Sequence, residues 1–420
     1  DGQVDVNDSI FVGNVHAIWA FKRCDLRVRD SNFVGTLGDV VMNGPYDSSV
    51  GSVTFTKRGE VNGGRLLLRG TLSSTAEALT LKNVKIQFLT PPSGRVGVSI
   101  SGASQLVLSA VAIANSTTPF YFEVEGASGS LTGVAMRGVL ASPWRPGEGP
   151  YIGNSTLTLR DVALSESSSN LTLFNSKVTA FNTTMRDNNA TGVTLSGSTL
   201  TGKAWAVLDN ALCGVVARAS SVVNGTNVTV RGNRGGGLCF SDSRAQVRDG
   251  DLSNVAVDAS LVSGSYVLFV STNVARALDV RDTSLLTVAW ILDLRVAYPN
   301  AALLPSVQVA IVDAQGLYLA ANPATSGLVE GLAPFAEKFV TSNGTEIRTP
   351  HLVSASLGSS FASATVDLTQ DRIVQLNLAD TSGPELVIDA PFEGEGFAAG
   401  EIHFLFFAND SGSGIKDLQY

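Results

Sequence analysis

One block of sequence returns after a fixed interval, and that interval restricts the fold more than any other feature. Asp8-Ser9-Ile10-Phe11-Val12-Gly13 recurs 22 residues later as Asp30-Ser31-Asn32-Phe33-Val34-Gly35. The residues ahead of each copy match in type, Val4 and Val6 against Leu26 and Val28. Further on, Asp187-Asn188-Asn189-Ala190-Thr191-Gly192-Val193 is echoed by Asp209-Asn210-Ala211-Leu212-Cys213-Gly214-Val215. A looser copy is Gly232-Asn233-Arg234-Gly235-Gly236-Gly237-Leu238, so Gly192, Gly214 and Gly237 are spaced by 22 and 23 residues. Strand-like copies begin at Leu79, Leu106, Leu157 and Leu278.

A period of roughly 20–50 residues belongs to solenoids, propellers and arrays. Each copy holds two or three short alternating segments and no run of helical periodicity. Propeller blades are longer, about 40 residues, and the LxxLxL frame of leucine-rich repeats is missing. A coil of about 22 residues with three short strands is a parallel β-helix, in which inward Val, Leu, Ile and Phe stack on their equivalents in adjacent coils. Composition agrees. Only 16% of residues are charged, and 45 Ser, 32 Thr, 24 Asn and 42 Gly take their place; these suit turns and polar strand faces. Asn189, Asn210 and Asn233 are expected to form a corner ladder that bonds to neighbouring backbone. Gly192, Gly214 and Gly237 are expected to supply the φ > 0 turns.

The pattern Leu-x-Val-x-Asp-Ser-x-Phe, followed later by Asp-Asn-x-x-x-Gly-Val, resembles the right-handed parallel β-helix (pectate-lyase-like) superfamily. The likeness covers roughly residues 1–288, with insertions around 40–65 and 118–152. Pectin-degrading enzymes, phage tailspikes and many microbial surface proteins share that architecture, so the resemblance implies an all-β solenoid and leaves function open. After it, Val307, Val309 and Ile311 alternate into Asp313-Ala314-Gln315-Gly316. Residues 289–381 read as a β-sandwich similar to carboxypeptidase-regulatory-like modules. Residues 382–420 resemble the opening strands of an immunoglobulin-like sandwich, cut short. The chain begins Asp1-Gly2-Gln3 and reads as a mature or partial polypeptide.

A net charge of −8 and a pI near 5.0 argue against nucleic acid, whose phosphates need a basic face. No apolar run approaches the length of a membrane span. Ten Asn-x-Ser/Thr sequons occur, against about four expected by chance under the acceptor rule. Asn7, Asn115, Asn154, Asn170, Asn182, Asn224, Asn227, Asn343 and Asn409 are the candidates for N-glycosylation. Asn189, the tenth, is set aside as a ladder residue. Extracellular, cell-surface exposure follows. The glycine register sets Cys213 and Cys239 three positions apart, about 10 Å along a strand and beyond disulfide reach. Two buried thiols are therefore expected, with a bridge across adjacent coils as the alternative.

The histidines His16, His351 and His403 lie outside any Gly-His-Gly or Asp-His context. Asp8, Asp30, Asp161, Asp187, Asp209, Asp242, Asp249 and Asp251 could line a face, yet they read as solvent-facing corners. The motifs of hydrolytic pectinases are missing, and Arg231, Arg234, Arg244 and Arg248 read as surface residues paired with Asp242 and Asp249. No catalytic residue, metal ligand or cofactor is assigned, and nothing in the motifs supports a structural calcium. The reading that fits best is a glycosylated, self-assembling structural or interaction protein of a microbial cell surface, as a surface-layer, sheath, filament or adhesin subunit. Its partners would be copies of itself, through solenoid ends and sandwich edges, and surface glycans. A secreted lyase or hydrolase acting on acidic glycans is the alternative, and a non-catalytic carbohydrate-binding protein the second.

Overall fold

The computed structural model describes 2–7, 10–12, 18–19, 24–34 and 40–41 by their backbone. With most side chains it describes 53–62, 65–68, 70–89, 96–113, 119–140, 148–298, 307–321, 328–329, 334–379, 385–390 and 405–409. Among the described residues every regular element is a strand. The chain divides into two units, Asp1–Leu286 with Val340–Gly344, and Thr287–Phe339 with Thr345–Tyr420.

The first unit is a right-handed parallel β-helix with coils of about 22 residues. One coil consists of the strands Asn170–Phe174, Lys177–Phe181 and Thr184–Arg186, and the next of Val193–Ser196, Thr199–Lys203 and Ala206–Leu208. Stacking in parallel register turns these into a first, second and third face; the third alone holds 12 strands. On the first face Leu173, Leu195, Ala217, Phe240 and Leu261 are successive register partners, all buried. Each large member of such a stack stabilises the fold by roughly 1.5–3 kcal/mol.

The second face narrows its inner stack to Ala180, Gly202 and Gly225 before Val247 restores bulk. Trp205, buried on the turn that follows Thr199–Lys203, packs against this thin stretch. A Cβ on Gly225 would lie 2.8 Å from Trp205 Nε1, closer than packed atoms tolerate. The glycine therefore makes room for the indole.

Polar groups inside the solenoid sit at its corners. Between the third and first faces Asn188 donates from Nδ2 to Asn210 Oδ1 (2.9 Å), Asn210 to Asn233 (2.8 Å), and Asn233 to Asn254 (2.8 Å). Asn254 donates to Asp258 Oδ1 (3.0 Å), which closes the ladder. Each Oδ1 also accepts the backbone N–H of the preceding member. The ladder position is thus Asn188; Asn189 is exposed. The reason is the αL turn at Asp187 (φ 55°), which aims the next residue inward and the one after it to solvent. The positive φ falls on Asp187, Asp209 (54°) and Gly232 (67°), and Gly192, Gly214 and Gly237 do not adopt it. These glycines answer a different need. A Cβ on Gly214 would stand 2.8 Å from Asn233 Nδ2, so they clear space for the ladder.

A second ladder, of serines, lines the corner between the first and second faces. Ser155 N–H donates to Ser176 Oγ (3.1 Å), Ser176 N–H to Ser198 Oγ (3.0 Å), and Ser198 N–H to Ser221 Oγ (3.2 Å). Ser243, Ser265 and Ser284 continue it. Each of Ser155, Ser176, Ser198, Ser221, Ser243 and Ser265 follows a residue with positive φ, from Asn154 to Gly264.

In the second unit Tyr318–Ala321, Gln308–Val312, His351–Leu357 and Ser360–Val366 form an antiparallel sheet in that order. Leu328–Val329, Leu292–Ala297 and Arg372–Asn377 form another, whose last two strands run parallel. Leu292, Leu294, Val296, Val309, Ile311 and Val353 lie in their shared core. Glu385–Ala390 pairs with Leu405–Asn409 in a separate two-stranded ribbon.

Candidate functional site on the solenoid exterior

Because the inward side chains are consumed by stacking, any chemistry of the solenoid must come from its outward residues. The three faces differ in charge. On the second face, from Ala78–Lys82 to Tyr266–Val270, the strands carry Lys82, Arg160, Lys177, Lys203, Arg244 and Arg248 and no Asp or Glu. None of these six forms an ion pair with a described residue. Arg160, Phe181, Lys203, Thr226 and Arg248 are register partners in successive coils. Cations thus recur at every second coil, about 10 Å apart at sheet spacing. Arg160 lies over the Phe181 ring at 4.8 Å, a cation–π contact. Thr201, Asn224, Thr226, Gln246 and Arg248 line a concavity of about 310 Å³ floored by the two glycines over Trp205.

Arginines also alternate on the third face, but there they are neutralised. Arg137 meets Glu166 at 2.7 Å, Arg186 meets Asp187 at 3.7 Å, and Arg231 pairs with Asp251. The structure therefore separates the four arginines considered together from sequence. Arg231 sits on the third face, Arg234 at an exposed corner, and Arg244 and Arg248 on the second face, with Asp242 and Asp249 as corner residues.

The first face carries a cluster that sequence reasoning passed over. Phe120–Glu125 directs Tyr121, Glu123 and Glu125 outward beside Tyr151 of the next coil. Tyr121, Glu123 and Tyr151 are buried. Asn154 Nδ2 donates to Glu125 Oε1. Burial pushes the Tyr121 phenol up, with the hydrogen bond to Thr71 opposing and the Glu123 charge adding to the rise. The signal available was the alternation Phe-Tyr-Phe-Glu-Val-Glu, which puts both acids on one side of one strand.

The acids listed from sequence do not converge. Asp187 and Asp209 share a corner in consecutive coils, Asp161 and Asp249 lie at another, Asp242 at the third, and Asp251 on the third face. Asp30 lies in the strand Cys24–Val34, while Asp8, His16 and His403 fall outside the described residues. His351 is buried in the second unit. No group of three or more His, Cys, Asp or Glu suited to a metal occurs among the described residues.

Of the sequons, Asn154, Asn182, Asn189, Asn224, Asn227 and Asn343 are exposed, and Asn170 is half-buried and donates to Thr172 Oγ1 at 2.8 Å. Asn154 and Asn182 spend Nδ2 on the carboxylates of Glu125 and Asp161 in the preceding coil. Asn115 lies outside the described residues; Asn7 and Asn409 end strands, their side chains likewise outside.

Cys213 and Cys239 are joined in a disulfide, which overturns the expectation of two buried thiols. Both are half-buried rather than enclosed. The register offset of three is as the glycines indicate, Cys213 opposite Gly236 and Val216 opposite Cys239. The strand does not run straight, however. Gly236 at φ 139° bends it around the corner, and the two Cα atoms come within 6.3 Å. The bond staples adjacent coils from outside.

No protein-family model and no curated protein matches the chain.

Proposed function

We propose that this chain is a glycosylated structural and interaction protein of a microbial cell surface, whose solenoid displays an uncompensated cationic face to acidic surface glycans. The observation that carries the reading is the outward Cys213–Cys239 disulfide, a bond that persists in oxidising, extracellular compartments. The exposed sequons at Asn189, Asn227 and Asn343 support it. So do exposed apolar residues on the second unit, Tyr318 at 60%, Phe361 at 64% and Ile373 at 64%, which suit contact with further copies. Hydroxyl and amide groups around Arg248 suit a sugar acid, since guanidinium pairs carboxylates bidentately.

Peptide mapping of protein purified from its source, without reduction, tests the reading. Deglycosylation in ¹⁸O water runs alongside it. A linked Cys213–Cys239 peptide and ¹⁸O on Asn189 or Asn227 are expected. Two free thiols together with unmodified sequons would sink it.

A glycan-cleaving role is the second reading, favoured by one observation. Glu123 and Glu125, two residues apart on one strand, sit with Tyr121 and Tyr151 in a desolvated cluster, and paired carboxylates are the working groups of glycoside hydrolysis. Chain cleavage of an acidic polysaccharide that disappears in Glu123→Gln would promote it over the first.

A further inference from the structure

The second unit contains a buried ionisable cluster that nothing on the solenoid exterior requires. Antiparallel register pairs Val312 with Leu352, so the next position sets Asp313 opposite His351, and His351 pairs in turn with Val366. Asp313 Oδ1 accepts from the N–H groups of Gln315 (2.9 Å) and Leu317 (2.8 Å), and its Oδ2 from Arg348 Nη1 (2.8 Å). Arg348 also pairs with Glu346 at 2.8 Å and lies over Phe339 at 4.7 Å. The His351 side chain is sealed, with its residue 1% exposed, and Phe335 meets its ring edge-on at 5.9 Å. Among the described residues its Nδ1 has no hydrogen-bond partner, and neither does Arg348 Nε. Around it the charged groups are Asp313 after Gln308–Val312, Glu346 and Arg348 before its own strand, Asp367 after Ser360–Val366, and Glu337 on Phe335–Thr341.

We propose that His351 is an acid-operated latch within the second unit: its protonation brings a second buried cation up to a carboxylate already committed to Arg348, and frees residues 345–348 from the Asp313 turn, to which Ile347 and Arg348 are tied by hydrogen bonds from Gln315 and Ala314. The physical reasoning is one of supply. Asp313 already accepts three hydrogen bonds, so an added imidazolium gains charge attraction and at most the one acceptor site left on Oδ2, while losing its hydration. Burial holds the imidazole below its ordinary range, with Asp313 opposing. The unfolded or opened chain, where histidine titrates near 6.5, therefore takes up the proton first. Stability is complete above about pH 6.5 and falls as pH drops from there toward the folded value, with opening rising about tenfold per pH unit in that window. This proposal stands apart from the surface role, since it concerns a different unit and a different measurement.

The test is hydrogen exchange on the intact chain at pH 7.0 and 5.0, corrected for intrinsic rates, together with NMR titration of the His351 ring. Peptides spanning 308–321 and 344–357 should lose protection at pH 5.0 relative to pH 7.0, with a slope that does not exceed about tenfold per pH unit, while peptides from 193–253 keep theirs. Asp367→Asn should leave this response in place. His351→Phe should stay protected at both pH values. An unchanged response in His351→Phe would overturn the latch. Should that variant fail to fold, the wild-type ring decides: titration below 6.5 in step with exchange supports it, and titration at or above 6.5 refutes it.

Discussion

The solenoid and the second unit both bury polar side chains, and they satisfy them in opposite ways. In the solenoid Asn210 and Asn233 each accept from one ladder Asn and donate to the next, while Asn188 accepts from Ser167 N–H and Asn254 donates to Asp258. Apart from the closing Asp258, those groups are neutral, and the bonds repeat with the coil. In the second unit a single carboxylate, Asp313, serves two backbone N–H groups and one guanidinium, with an unsatisfied imidazole alongside. A repeated network of amides, charged only at its closing acceptor Asp258, spreads its dependence over many coils. A unique charged one concentrates both its strength and its sensitivity.

The largest effect should come from cutting the repeated network in its middle. Asn233→Ala strands both the Nδ2 and the backbone N–H of Asn210, takes one of two donors from Asn254 Oδ1, and leaves a void. Denaturant melts should show a loss of about 3–4 kcal/mol; a loss under 1 kcal/mol would mean the ladder is ornamental. Replacing both cysteines by serine should cost about 2–4 kcal/mol, within the usual range for a disulfide, and at any pH. Ser198→Ala, which removes one acceptor, should cost about 1–2 kcal/mol. Asn189→Ala, one residue from the ladder, should fall within about 0.5 kcal/mol of wild type; a large effect there would restore it to the ladder. Acid sharpens the comparison most finely. Between pH 7 and 5 the second unit should weaken through His351. Below about pH 4 it should weaken again, as Asp313 protonates; burial raises its affinity for protons, but the Leu317, Arg348 and Gln315 bonds hold the carboxyl below its ordinary range. Separate calorimetric transitions with only one of them moving would establish the contrast.

The fold was readable because a 22-residue echo needs no three-dimensional information, and inward Leu and Val then had to stack. Asn210 and Asn233 were legible for the same reason. Asn188 was missed because two asparagines follow Asp187, and only the αL geometry of that Asp decides which turns inward. The serine ladder had an equally regular spacing, but serine is so frequent here that its period was hidden in the background. The disulfide was lost to an assumption of straight strands. The acid-free second face could be seen only once register assigned each residue to a face. The Asp313–Arg348–His351 group has no sequence period at all, since it joins two distant segments, one at 313 and one at 348–351, through antiparallel pairing.

The asparagine ladder has steps of 22, 23 and 21 residues, so coils of unequal length keep one alignment. The slack sits at corners such as Ala219-Ser220, where two consecutive residues take positive φ. A gene encoding such a chain can grow or shrink by whole coils, each new one inheriting both ladders from its neighbours. A lone inserted residue is absorbed at a corner, as at Ala219-Ser220. Length is thus a heritable dial for this molecule, while its cross-section is locked.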